Sequence, residues 1–138
     1  MTKVGNKFVD PELVTIDGAE SKFFISKIPA YSSQEIMFGA LSAIQNQDVS
    51  QLPKGTVDKL MSFVSCQIGD GGVEESIALD NQNAINTYCE DVYVMLQLEL
   101  KMVQKNYGFL FDGRLQKVLE AMNLSTKSTE TSNPSSDT

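Results

Sequence analysis

Between Asn81 and Tyr107 the chain contains neither Gly nor Pro, and its apolar residues keep helical time. Ile85, Cys89, Val92, Leu96, Leu100, Val103 and Tyr107 are separated by gaps of 4, 3, 4, 4, 3 and 4, the spacing of one stripe along an α-helix. Asp80 or Asn81 can cap its first turn, and Gly108 stands where the residue after a helix should be. A helix over about 81–107 would be roughly 40 Å long at 1.5 Å per residue. Tyr88, Met95, Leu98 and Met102 add a second apolar flank, so more than one element must pack against it.

The remaining segments are shorter. Residues 1–12 read as a flexible arm, with Phe8 and Val9 able to add edge-strand contacts. Leu13 to Ile16 and Phe23 to Ile28 read as the two strands of a hairpin around the turn dipeptide Asp17-Gly18, and Pro29 ends the second. Ser32 or Ser33 can cap a following helix that buries Ile36, Met37, Ala40, Leu41 and Ile44. Thr56 can cap another, with Val57, Leu60, Met61, Val64 and Ile68 on one face, and Gly69-Asp70-Gly71-Gly72 stops it. Val73 to Leu79 is a short connection with a turn of helix or a brief strand. After the apolar turn Phe109-Leu110-Phe111, a short helix carries Leu115, Val118, Leu119 and Met122. Residues 124–138 are almost all polar, too poor in apolar surface to offset their ordering entropy, and read as a disordered Ser/Thr-rich tail.

These readings give an α+β fold, predominantly helical, with an N-terminal β-hairpin packed on a small helix bundle built around one long helix (about 81–107). Residues 13–123 form one compact domain.

Composition narrows the function. With 11 basic against 18 acidic residues the formal charge is −7, which disfavours nucleic acid and anionic membrane surfaces, since both need clustered Lys and Arg. No apolar run is long enough to span a bilayer, and residues 1–5 lack the apolar core of a signal peptide. Cys66 and Cys89 lie among apolar neighbours and read as a reduced, buried pair. The chain has no histidine, which removes the commonest general base and metal ligand.

The chemical motifs are incomplete. Gly69 to Gly72 is followed by Val73-Glu74-Glu75 rather than the Lys-Ser/Thr of a phosphate loop. Asp70, Glu74, Glu75 and Asp80 do not keep the spacing of a calcium loop. Glu90 and Asp91 point about 100° apart on a helix, and Glu99 reads as a surface carboxylate near Lys101. The serines have no histidine to activate them. The chain therefore reads as a non-enzyme, without cofactor or metal, that works through its surface. Phe23-Phe24, Phe109-Leu110-Phe111 and the methionines fill either a core or an interface. Met95, Met102, Tyr107, Phe109 and Phe111 are the candidate partner-binding residues.

Two stretches carry a resemblance. Phe24-Ile25-Ser26-Lys27-Ile28-Pro29-Ala30-Tyr31-Ser32-Ser33-Gln34-Glu35-Ile36 resembles the strand, lysine, Pro-Ala and helix start of the tail assembly chaperones of long-tailed bacteriophages. Leu98-Glu99-Leu100-Lys101-Met102-Val103-Gln104-Lys105-Asn106-Tyr107-Gly108-Phe109-Leu110 is similar to the segment that closes a long helix in the same family. The resemblance covers both ends of residues 23–115, and the middle is not distinctive. It implies a small, mostly helical protein in the cytoplasm of the infected bacterial host. Such a protein binds the hydrophobic helical tape measure protein, keeps it soluble until the tail tube polymerises, and is absent from the mature virion. In many such phages a frameshifted longer form also recruits the tail tube protein, and residues 124–138 are compatible with a linker at that point. A small virion structural or adaptor protein of the tail or neck is the alternative. Homo-oligomerisation through a hairpin edge or the two-flanked helix is left open.

Overall fold

The computed structural model describes residues 8–130, with side chains as far as Met122. Residues 1–7 of the expected arm and 131–138 of the expected tail lie outside the described residues. The fold is α+β and rich in helix. Strand β1 (Val9–Thr15) and strand β2 (Lys22–Lys27) form the expected N-terminal hairpin, turned at Asp17-Gly18, where Gly18 takes φ +86. Glycine adopts that left-handed conformation without the Cβ clash other residues meet.

The hairpin is half of a larger sheet. Strands β3 (Val64–Gln67) and β4 (Ser76–Ala78) extend it into four antiparallel strands in the order β1-β2-β3-β4. Residues 64–67 therefore do not continue the helix expected through Ile68. That helix ends at Met61, and Gly69 to Gly72 opens the loop of a second hairpin instead of stopping a helix. Consecutive burial of Phe23, Phe24, Ile25 and Ser26 in β2, and of Val64, Ser65 and Cys66 in β3, means that both faces of the sheet's centre are covered. Edge strand β1 begins at Val9, inside the expected arm. It is broken by a bulge between Val9 and Glu12, where Asp10 takes φ +51 ahead of Pro11. A bulge and a proline both spoil the pairing face of an exposed strand edge.

The expected long helix is two helices. Helix α1 (Ala30–Gly39), α2 (Leu41–Gln45) and α3 (Lys54–Met61) come first; then α4 (Gln82–Tyr88) and α5 (Val92–Tyr107) share the stretch that the spacing reads as one. Asn81 caps α4, its side chain accepting from Ala84 N–H at 2.8 Å. Cys89 is extended (φ −91, ψ 101), and the Asp91 carboxylate accepts from Val94 N–H at 3.1 Å, capping α5 afresh. A capping carboxylate at Asp91 offers the backbone a start that competes with continuation, and the spacing of apolar residues carries no sign of it. Of the expected stripe, Ile85, Cys89, Val103 and Tyr107 are buried, whereas Val92 and Leu96, just after the break, are 68% and 38% exposed; Val94, Leu98 and Met102 are buried beside them.

Similar local effects shape the first helices. Ser32 and Ser33 lie inside the first turn of α1, which follows Pro29 with no side-chain cap, and Ala40 (φ −150, ψ 41) separates α1 from α2. Of the expected buried face, Ile36, Ala40 and Ile44 are buried, Met37 is half-buried and Leu41 is exposed. Helix α3 starts at Lys54, after Pro53, with Thr56 buried in its first turn.

Side-chain amides moor α5 beside the hairpin. Near its start, Asp17 N–H donates to Gln97 Oε1 at 3.0 Å, Gln97 Nε2 donates to the Asp17 carbonyl at 2.7 Å, and the Tyr93 hydroxyl donates to the Asp17 carboxylate at 2.7 Å. Near its end, Asn106 Oδ1 accepts from Ile28 N–H at 2.8 Å, and Asn106 Nδ2 donates to the Ser26 and Met102 carbonyls, each at 3.1 Å. Helix α5 thus runs parallel to β2. Lys105 adds ion pairs to Asp10 at 3.5 Å and Glu12 at 3.4 Å, both on exposed carboxylates.

The described residues divide into two compact units, one ending at Asn106 and one starting at Tyr107, inside the stretch that the sequence reads as one domain. In the second unit a short 3-10 turn (Gly108–Leu110) leads to helix α6 (Arg114–Glu130). Asp112 accepts from Arg114 N–H at 3.1 Å at its start, and Gly113 takes φ +91. Residues 124–130, read as part of a disordered tail, continue α6. They contain no Gly or Pro, so a helix already nucleated by Leu115 to Met122 adds one hydrogen bond per further residue.

Asn106→Ala should lower unfolding stability by about 2 kcal/mol, because it leaves Ile28 N–H and the Ser26 carbonyl without their partner. Lys105→Met, one residue away, keeps the largely buried stem, removes the ion pairs and should cost about 0.5 kcal/mol or less, since the partner carboxylates are solvated. Urea denaturation of the two variants measures the contrast, and equal losses would contradict the mooring role given to Asn106.

Candidate partner-binding groove

The break at Cys89 to Asp91 opens a concavity in the first unit. On one straight helix, Gln82 and Glu99 would lie about 25 Å apart. With the chain broken, they line the same open groove of about 370 Å3. Val49, from the short turn before α3, and Lys54, Val57 and Asp58 of α3 supply one side. Gln82, Ile85 and Asn86 of α4, with Met95, Leu96 and Glu99 of α5, supply the rest. Five of the ten, Val49, Val57, Ile85, Met95 and Leu96, are apolar. Lys54 and Asp58 pair with each other across one turn at 3.3 Å, and both are exposed.

Glu99 is the exception in an apolar setting. It is 4% exposed, the one charged residue among the buried polar side chains of the described residues. No hydrogen bond or ion pair reaches its carboxylate from the described residues. Burial pushes its pKa up from the usual 4.5 to about 7. The surface position read from the sequence is thus corrected. Residues 95, 98, 99 and 102 stand at i, i+3, i+4 and i+7 and share one helix face, so the apolar flank of Met95, Leu98 and Met102 is the signal by which Glu99 could have been placed.

The five candidate contact residues separate. Met95 is half-buried and lines the groove. Met102 and Tyr107 are fully buried and have no surface to offer a partner. In the second unit Phe109 is half-buried, with its ring tilted 54° against Tyr107 at 6.4 Å between centroids, and Phe111 is exposed. Phe23 and Phe24 belong to the core. Tyr31 and Phe38, outside the five candidates, are 84% and 65% exposed on α1.

Other groups are chemically quiet. Cys66 and Cys89 are free and buried, as expected. Burial raises the Cys66 thiol, opposed by a Ser21 hydrogen bond. Burial, with smaller contributions from Cys66 and Glu99, pushes Cys89 up to about 12, so neither is a ready thiolate. In the glycine-rich loop, Gly71 N–H donates to the Glu75 carboxylate at 3.1 Å. The protein's own anion occupies the donor that a phosphate would use. Among the described residues no cluster of His, Cys, Asp or Glu could hold a metal ion, and no helix is long and apolar enough to cross a membrane. No family model, curated protein or solved structure matches the chain.

Glu99 makes stability depend on pH in a defined direction. Its pKa is raised on folding, so between about 4.5 and 7 the folded protein keeps a proton that the unfolded chain releases. Its contribution is fully present below pH 4.5 and is lost as pH rises through 7. Glu99→Gln should therefore be more stable than the wild type at pH 8 by on the order of 2–3 kcal/mol relative to their difference at pH 4. Denaturation of both proteins across this range checks it, and parallel curves would contradict the burial of an unpartnered carboxylate.

Proposed function

We propose that this protein is a non-enzymatic tail assembly chaperone of a long-tailed bacteriophage, which binds the hydrophobic helical tape measure protein and keeps it soluble until the tail tube polymerises. The observation that carries this reading is the open aliphatic groove between α3, α4 and α5 on a chain of net charge −7. Apolar stripes of a helical client bury in such a groove in the manner of helix-in-groove recognition, while like charge on the outer surface keeps loaded molecules apart.

The two stretches that carry the family resemblance also meet. Asn106 in the second bonds to the backbone of Ser26 and Ile28 in the first. They form one structural joint between β2 and α5. Met95 and Leu96 are the contacts proposed in the groove, and Phe111 in the second unit adds exposed aromatic surface. On this reading the protein acts in the cytoplasm of the infected host, and a longer form would bring in the tail tube protein.

Co-expression with the tape measure protein of the same genome tests the proposal. A soluble complex should elute as one peak on size exclusion, with the tape measure protein insoluble when made alone. Leu96→Asp, at a partly exposed position, should leave the chaperone folded and reduce the recovered complex at least about tenfold, by placing a charge against an apolar client. Recovery of the protein in purified virions, without a soluble complex, would move the reading to a structural component of the tail or neck.

A further inference from the structure

We propose that the groove is a receptor for a basic side chain, a lysine presented by an otherwise apolar helical segment of the partner, with its ammonium on Glu99. From the proposed function this takes only that a partner lies in the groove. Three observations support it. Glu99 lines the groove, is more than nine-tenths buried, and has no partner among the described residues. Buried carboxylates are ordinarily paired or hydrogen-bonded, so an orphan aimed into a cavity is half of an interaction. The walls around it, Val57, Ile85, Met95 and Leu96, are apolar and suit the four-carbon stem of a lysine.

The third observation is what the protein withholds. Lys54, the one basic residue lining the groove, is paired with Asp58 and largely exposed, so it does not neutralise Glu99. The other titratable group that interacts with Glu99 is the buried Cys89 thiol, which is neutral. Among the described residues no cation is placed to neutralise it, and that cation is assigned to the partner. At about 370 Å3 the groove is at the small end of ligand-holding pockets, roughly 300–1,000 Å3, enough to take one long side chain and its apolar neighbours from the face of a helix laid across it. A lysine at this point sets the register of the bound segment, which a purely aliphatic groove would not. An arginine would meet the same carboxylate; the longer aliphatic stem of lysine makes more use of the apolar walls.

Hexylammonium, a lysine side chain with a longer stem, and hexanol, its uncharged counterpart, provide the test on the full chain by amide NMR titration. Hexylammonium should shift the amides of Val57, Ile85, Leu96 and Glu99 and bind about tenfold more tightly than hexanol. Glu99→Gln, which keeps the shape and is expected to be more stable, should abolish that preference while leaving hexanol binding unchanged. A second variant, Leu96→Lys, places an ammonium one turn before Glu99 and should reduce hexylammonium binding about tenfold with a raised Tm. Equal binding of the two probes, no response in the groove, or a preference that survives Glu99→Gln would overturn the assignment. A groove that ignores hexylammonium while the tape measure complex still forms would remove the lysine receptor and leave the chaperone reading standing. Binding of hexylammonium without any such complex would do the reverse.

Discussion

The amide of Asn106 is the interaction on which the arrangement of the first unit most depends. A helix laid on a sheet is held chiefly by apolar burial, which is strong but does not specify register. Asn106 supplies the register by reading one donor and one acceptor of the β2 end, Ile28 N–H and the Ser26 carbonyl. Gln97 does the same with the backbone of Asp17 at the hairpin turn. The two amides are nine residues apart on α5, about 13 Å along its axis. Together they determine which way α5 runs and how far along the hairpin it sits. Val94, Leu98 and Met102 then meet the core, and Met95, Leu96 and Glu99 turn toward α3 and α4.

The second constraint is the interruption before α5. A continuous helix over 81–107 would present one long stripe to its neighbours and would leave no room for a groove. The Asp91 cap and the extended Cys89 exchange that stripe for two shorter helices whose sides converge. One consequence is that a carboxylate with no partner among the described residues is buried at their meeting point. Such a group opposes folding at neutral pH and is found more often at sites of binding or chemistry than in inert cores. Its retention in a cavity with apolar walls is the reason to read the cavity as a place for a partner.

The sequence disclosed these features unevenly. The α+β class, the N-terminal hairpin with its Asp17-Gly18 turn, and the burial of both cysteines were legible because turn chemistry and apolar grouping act locally. Strands β3 and β4 were not. Val64 and Ile68 fit a helical spacing as well as a strand, and four residues are too few for periodicity to decide. Val64 to Gln67 became a strand because β2 offered it an edge, a tertiary effect invisible to a local reading. The helix break was hidden for a different reason. Asp91 is an ordinary residue inside a helix and an excellent cap at the start of one, and only the packing of α4 selects between them. With the phase unknown, Met102 looked as available as Met95, and Glu99 looked like surface.

The sequence offered methionine and aromatic side chains on α5 and just after it as candidate contacts, and the choice between core and groove required the fold. If the client occupies the groove of the first unit, as proposed, the methionine methyl groups report on it directly. Met95 lies in the groove, whereas Met61 and Met102 are buried in the core. The 13C-methyl spectrum of methionine-labelled protein, recorded with and without the co-expressed tape measure protein, separates them. The account predicts that the Met95 signal moves on complex formation while those of Met61 and Met102 stay in place. A complex that leaves Met95 untouched would contradict it.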